Sequence, residues 1–405
     1  MRSPIGLRAR NMQPSATIAV DARAKALVAK GVDVVNLTAG EPDFDTLPAA
    51  RAGGIAAIEQ GFTRYTPTPG IAELREEIAK KLRTDNGLEY RANQIVVSNG
   101  AKQSIYNALM VLLDAGDEVV IPTPSWVSYP EMVRLAGGVP VMVDTEPNRY
   151  RLDAAALAAA ITPRTKLIVL NSPCNPTGVV YTDAELRAVA ALAVQNDLYV
   201  ISDEIYEKLT YGAEFISIAS LNPEILDRTV TVNGFSKAYA MTGWRMGYAA
   251  ANPEIADAMS SFQSQCTSGA SSISQKAALA ALKGDPAPVE AMRVQFDRRR
   301  QFIAGRLSEM PGVRLDGIPE GAFYIFPRVD ELYGKRAAGV SLDGSVSFAE
   351  ALLEQSRVAV VPGLPFGSDR HIRMSYACSM ETLAEGMDRL ESFVRAVAEV
   401  DEVRR

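Results

Sequence analysis

The chain has 405 residues, 47% hydrophobic and 22% charged, a composition that buries a large core without disulfide or metal staples. Lys and Arg total 42 against 48 Asp and Glu, and the formal charge of −6 argues against a nucleic-acid surface. One histidine (His371) and three scattered cysteines (Cys174, Cys266 and Cys378) exclude a CxxC pair or a His-rich metal centre, so no metal site is expected.

In chain order, residues 20–30 carry a short helix pattern, followed by the Gly/Pro-rich stretch Thr38-Ala39-Gly40-Glu41-Pro42-Asp43. Strand-like runs follow at 94–98, 118–121, 139–143, 166–170, 198–201, 229–232 and 246–250. They are apolar at both alternating positions, as strands covered on two faces are. Helical patterns at 100–113 and 184–195, and an alanine-rich one at 154–160, lie between them. This alternation predicts an α/β fold with a mostly parallel sheet. Beyond about residue 290 come a charged helix at 294–310, a polar loop at 334–345, an apolar strand at 358–361 and a C-terminal helix at 380–400. The expected organisation is a large domain, 46–290, and a smaller α+β domain from both ends, 1–45 and 291–405. No uncharged apolar run reaches 18 residues, so no membrane partner is expected. The sparse cysteines fit a reducing cytoplasm.

Open α/β sheets bind ligands beyond the carboxyl ends of their strands. After the first strand stands Ser98-Asn99-Gly100-Ala101-Lys102, a helix start of the kind that binds phosphate through free N–H groups. After the run 166–170 stands Asn171-Ser172-Pro173-Cys174-Asn175-Pro176-Thr177-Gly178, a turn that presents Asn175. After 198–201 stands Ser202-Asp203-Glu204-Ile205-Tyr206; an acid at a buried strand end needs a cation or a donor. After 229–232 stands Asn233-Gly234-Phe235-Ser236-Lys237, followed by Gly243-Trp244-Arg245. Desolvation lowers the pKa of such a lysine and makes its neutral amine a usable nucleophile. One crevice holding these groups suits an electron-sink cofactor with a phosphate tail, a ring nitrogen and an aldehyde. An absent GxGxxG argues against a nicotinamide dehydrogenase.

With these motifs in order, together with Pro14-Ser15-Ala16-Thr17 and Tyr65-Thr66-Pro67, the chain resembles the class I aminotransferases that use pyridoxal 5'-phosphate. It is similar to their bacterial aspartate aminotransferase branch over nearly its whole length. The resemblance implies a fold-type I transferase: a large, mixed, mostly parallel sheet domain beside a smaller α+β one. It implies that Lys237 bonds the cofactor aldehyde and shuttles a proton, and that Asp203 faces the pyridine nitrogen. Tyr206 and Asn175 match donors to the ring oxygen, and Trp126 the aromatic stacked on the ring. Gly100, Ala101, Lys102, Ser236 and Arg245 fall on the phosphate-binding segments. Tyr65 matches a tyrosine that reaches the neighbouring subunit's phosphate, which implies a homodimer with shared sites. Arg373 matches the grip on the substrate α-carboxylate, and Gly40 a nearby backbone amide. Ser15, Thr17 and Lys102 match the groups that meet a second carboxylate, favouring aspartate, glutamate and their 2-oxoacids. Gln13 stands where prephenate-using relatives carry Lys, so a charge that assists prephenate is missing. A broader, aromatic or prephenate aminotransferase, or a lyase on the same fold, is the alternative. His371 is expected to be a neighbour of the carboxylate site.

Overall fold

The computed structural model describes residues 4–6, 9, 10, 12, 16–337 and 339–402, with the side chains of 16–18 and 399–402 left aside. Gln13 and Ser15 lie outside the described residues, as does the side chain of Thr17.

Strand β1 (Val35–Asn36) lies near the start. Seven strands then form one sheet: β2 (Ile95–Ser98), β3 (Glu118–Thr123), β4 (Val139–Asp144), β5 (Thr165–Asn171), β6 (Tyr199–Asp203), β7 (Thr229–Gly234) and β8 (Gly247–Ala250). Their order is β2-β8-β7-β6-β5-β3-β4. All neighbours pair in parallel except β8, which runs antiparallel to both β2 and β7. The mixed, mostly parallel sheet expected from the sequence is therefore present. Val, Ile and Leu fill β3, β5, β6 and β7, because helices cover both faces of a parallel sheet and leave no wet side.

Among the strand expectations, the run 139–143 departs from two-faced burial. β4 is the sheet's edge, and Val139 (47% exposed) and Met142 (43%) lie open because only β3 flanks them. The polar stretch 334–345, expected as a loop, instead holds a hairpin of β10 (Arg336–Ala337) and β11 (Val340–Ser341), after β9 (Tyr324–Ile325). Gly339 supplies the reversal at φ +89°, a region glycine enters without strain. The charged helix begins at Ala287 rather than at 294 and runs to Ser308, with Pro288 in its first turn, where a missing N–H costs no helical bond.

The chain's two ends meet where β1 pairs in parallel with β12 (Val358–Ala359). β13 (Val361–Pro362), β14 (Ile372–Ser375) and β9 make a second, antiparallel sheet. The expected strand at 358–361 is thus two short pieces in two different sheets. A core of Phe296, Phe323, Phe348, Tyr376 and Leu383 packs around this second sheet. No described helix is long and apolar enough to cross a membrane.

Candidate active site

β5, β6 and β7 lie side by side and in register, with Asn171 and Asp203 at the ends of β5 and β6 beside Val232 near the end of β7, all at one edge. The loop after β5 folds back over that edge. Asn171 Nδ2 donates to the Asp203 carbonyl (3.0 Å), and the Asn175 N–H donates to Asn171 Oδ1 (2.8 Å). This strap fixes Asn175 above the sheet. A Cβ on Gly178 would lie 2.5 Å from Pro319 Cβ, so only glycine lets the strap close against the segment before β9.

The Asp203 side chain is buried and accepts a hydrogen bond from the Tyr129 hydroxyl (2.6 Å) and one from the Ile205 N–H (3.3 Å). Burial pushes its carboxyl up to about 6; the Tyr129 bond pulls the other way. Lys237 follows β7, is half-buried, and donates to the Gly40 carbonyl. Burial pushes its ammonium down to about 8, helped by the Arg373 and Arg245 cations and opposed by Glu41 and Asp203. An acid held up and an amine held down in one cavity is the pattern that acid–base chemistry needs.

A second corner is built for an anion. The helix Ala101–Leu112 opens at Gly100 with no side-chain cap, and its first two residues, Ala101 and Lys102, line the cavity. Arg245 Nη1 donates to the Thr242 carbonyl (2.9 Å) and Nη2 to that of Asn99 (3.3 Å). Gly100 sits at φ +86°, a region glycine enters without strain, and a Cβ there would also press on Arg245 Nη2 (2.5 Å). Gly247 must be glycine, since its Cβ would stand 2.3 Å from the Ala101 N–H. Ser236 is buried beside this corner.

The opposite wall comes from the second sheet. Arg373 is buried on β14; Nη1 donates to Asn175 Oδ1 (3.1 Å) and Nη2 to the Thr38 carbonyl (3.0 Å). Its guanidinium lies over the rings of Tyr324 (4.4 Å) and Phe366 (5.0 Å), and its buried Nε has no partner. The Tyr206 and Tyr324 hydroxyls share a hydrogen bond of 3.0 Å, which links the end of β6 to β9. Lys102 sits at the rim with its ammonium 4.7 Å from the centre of the Trp126 ring.

These groups enclose a cavity of about 430 Å³. Of the residues singled out in the sequence, Gly40, Ala101, Lys102, Trp126, Asn175, Asp203, Tyr206, Ser236, Lys237, Arg245 and Arg373 line it, with Gly100 directly behind Arg245. Tyr65 does not; it is fully exposed. His371 does not line it either and is buried behind Arg373. Tyr129 and Tyr324 also line the cavity and were not singled out. Tyr129 stands three residues after Trp126, a spacing that puts both on one side of a turn and could have revealed it. Tyr324 lies in a two-residue strand and carries no local signal. Among the described residues no cluster could hold a metal ion.

A family profile described as "Aminotransferase class I and II" matches residues 32–390. The chain belongs to the class I and II aminotransferases. Aspartate aminotransferase of Geobacillus stearothermophilus is 47% identical over 393 residues, covering 96% of this chain and 99% of that one. A "Probable aspartate/prephenate aminotransferase" of Rhizobium leguminosarum bv. phaseoli is 46% identical, covering 95% and 97%. The structure of Thermus thermophilus aspartate aminotransferase with maleate superposes with a TM-score of 0.90 at 44% identity, covering 97% of this chain and 100% of that one. An aminotransferase of this class is therefore an enzyme that moves an amino group, and the cavity is where its residues converge.

Proposed function

We propose that the protein is an aspartate aminotransferase that uses pyridoxal 5'-phosphate and passes the amino group of L-aspartate or L-glutamate to 2-oxoglutarate or oxaloacetate. The observation that carries the reading is the pair of opposed titratable groups, buried Asp203 and half-buried Lys237, in one cavity with an uncapped helix start and a buried arginine. The residues fit the cofactor. Gly100, Gly247 and Arg245 leave a cradle beside free N–H groups that suits a phosphate. Asp203 would face a ring nitrogen, Tyr206 and Asn175 a ring oxygen, and Trp126 a ring face. When bound, the cofactor supplies an aldehyde that takes the amine and a ring that accepts the electrons freed at Cα.

The chain's own residues do the rest. Lys237, held neutral by its surroundings above about pH 8, takes the proton from substrate Cα and returns it to the reacting skeleton. Asp203 stays ionised above about pH 6, where its charge favours a protonated ring nitrogen. Arg373 grips the α-carboxylate with a planar fork whose stacking on Tyr324 and Phe366 fixes its plane. Lys102 meets the second carboxylate, with Ser15 and Thr17 as further partners, and Gly40 holds Lys237 and lines the substrate side. The name of the Rhizobium leguminosarum relative includes prephenate, but Gln13 lacks the charge that assists it, so prephenate stands as the alternative acceptor.

We further place the working unit as a homodimer in which Tyr65 reaches the other subunit's phosphate corner. Its full exposure, with Ile55 and Ile58 each 57% exposed on the preceding helix, supports a covered face there. We take residues 46–290 as the large domain and 1–45 with 291–405 as the small one. The seven-stranded sheet comes entirely from the first span, and the end-to-end β1–β12 pairing supports the second.

The test mixes holoenzyme with single amino acids and follows the cofactor spectrum. Aspartate and glutamate should convert it fastest, and Lys102→Ala should cost aspartate about tenfold more than alanine, the worth of one charge-assisted hydrogen bond. Equal losses for aspartate and alanine would refute the dicarboxylate assignment. Adding prephenate to the aminated form tests the alternative acceptor.

A further inference from the structure

The only histidine of the chain sits at the head of β14, two residues before Arg373. It is fully buried, yet it touches neither the cavity nor solvent. Its ring stacks face to face on Phe326, with centroids 4.6 Å apart and planes 4° apart. Phe326 meets Phe366 edge-on at 5.9 Å, and Phe366 lies under the Arg373 guanidinium at 5.0 Å. An aromatic column therefore runs from the imidazole to the guanidinium.

Both ring nitrogens also sit in a hydrogen-bonded chain. Glu146 Oε2 meets Ser368 Oγ (2.9 Å), Ser368 Oγ meets His371 Nδ1 (2.7 Å), His371 Nε2 meets the Tyr150 hydroxyl (2.6 Å), and that hydroxyl meets Asp316 Oδ2 (2.7 Å). These four contacts need four protons if both carboxylates are ionised. Ser368 and Tyr150 bring one each. A neutral imidazole brings one more and leaves one contact without a proton; an imidazolium brings two and completes the set. Ser368 belongs to the short loop that also carries Phe366, and the Gly363 N–H at its start donates to the His371 carbonyl (2.8 Å). Completing the chain thus ties the Phe366 loop to the strand that carries Arg373.

We infer that His371 is a positioning residue for Arg373, and that it holds the guanidinium most firmly when both ring nitrogens carry protons. The inference rests on reading Arg373 as the carboxylate grip. The groups that face the imidazole are mixed in sign. Glu146 and Asp316 favour the cation; Arg328, bonded to Asp330 and near Glu146, opposes it, and Arg370 bonds to Glu146 from the next position. Burial is the largest influence and lowers the pKa of His371, so the proton goes on only below the ordinary imidazole range rather than being held permanently.

A single histidine makes the test direct, provided the holoenzyme carries no histidine tag. Its imidazole is titrated by heteronuclear NMR with and without maleate, an unreactive dicarboxylate. Coupling is reciprocal, so if the imidazolium grips maleate about fivefold better, saturating maleate raises the titration midpoint by about 0.7 pH unit. Phe326→Leu, which keeps every charge but breaks the column, should abolish most of that shift, and Ser368→Ala, which removes the Nδ1 partner, should do the same. A midpoint that maleate leaves unchanged overturns the inference. So does a full shift in Phe326→Leu, because the coupling would then be charge acting through space. Undiminished maleate affinity in Arg373→Ala overturns the Arg373 reading itself, and is recognised by binding alone.

Discussion

The floor and the wall of the cavity are built in different ways. The floor, with Asp203, Asn175 and Lys237, hangs from the ends of β5, β6 and β7, three adjacent parallel strands in continuous register. The wall, with Arg373, Tyr324 and Phe366, comes from strands of two to four residues and a single turn of 3₁₀ helix. A backbone ladder positions the floor, and changing a side chain there alters chemistry more than geometry. Side-chain packing positions the wall, through stacked rings and single hydrogen bonds to Asn175 and Thr38. The floor is a chemical device on a rigid support; the wall is a binding surface whose geometry depends on its neighbours.

The sharpest break in that comparison is Lys237→Ala. It removes the only lysine on the floor and leaves the ladder intact. Activity should fall by at least about 10³-fold for every amino acid, as expected when nucleophile and proton carrier are lost together. The holoenzyme should also lose the visible absorbance that comes from the bond between lysine and cofactor. Retained absorbance would show that another lysine makes that bond.

Arg373→Lys tests the wall and should cost less. Lysine keeps the charge but has no fork, so it cannot serve Asn175 Oδ1, the Thr38 carbonyl and a carboxylate in one plane. The loss of about 2–3 kcal/mol corresponds to roughly 10²-fold in kcat/KM, with KM bearing most of it. Because the α-carboxylate is common to all amino acids, alanine and aspartate should suffer alike. A loss confined to aspartate would move Arg373 to the distal carboxylate.

The same division decided what could be read from the sequence. Each floor residue lies inside a contiguous motif just past a buried apolar run, so Asn175, Asp203 and Lys237 became legible from strand ends once their convergence in one crevice was weighed. The wall did not. Tyr324 meets Arg373 only through tertiary packing of segments about 50 residues apart, Phe366 reaches it from the turn before β14, and β9 and β13 are too short to show a period of two. Arg373 was found through family resemblance rather than through pattern. The edge character of β4 escaped for a related reason: a run of apolar residues says that a strand exists, but only the sheet order says which strand has one neighbour. The hairpin inside 334–345 was hidden by its polar composition.

The floor's chemistry carries a stability cost that can be measured without any reaction. The Asp203 carboxyl titrates near 6 in the folded chain and near 3.9 when unfolded, because burial disfavours its charge. A folded-state pKa above the unfolded one means that the native protein holds the proton more tightly. Stability therefore falls as pH rises from about 4 to about 6, and the full cost persists above that. A difference of about two pKa units is worth about 3 kcal/mol. Asp203→Asn keeps an acceptor for the Tyr129 hydroxyl and removes the charge. In the cofactor-free protein it should raise Tm by about 2–4 °C at pH 7.5 and leave it unchanged near pH 4, where the wild-type carboxyl is already protonated. The attraction of the Lys237 ammonium, which lowers the Asp203 carboxyl, is already contained in that difference. An equal change in Tm at both pH values would mean that the substitution acts through packing. In that case the floor's polarity would reside in Lys237 alone, and the contrast with the wall would rest on geometry without the charge.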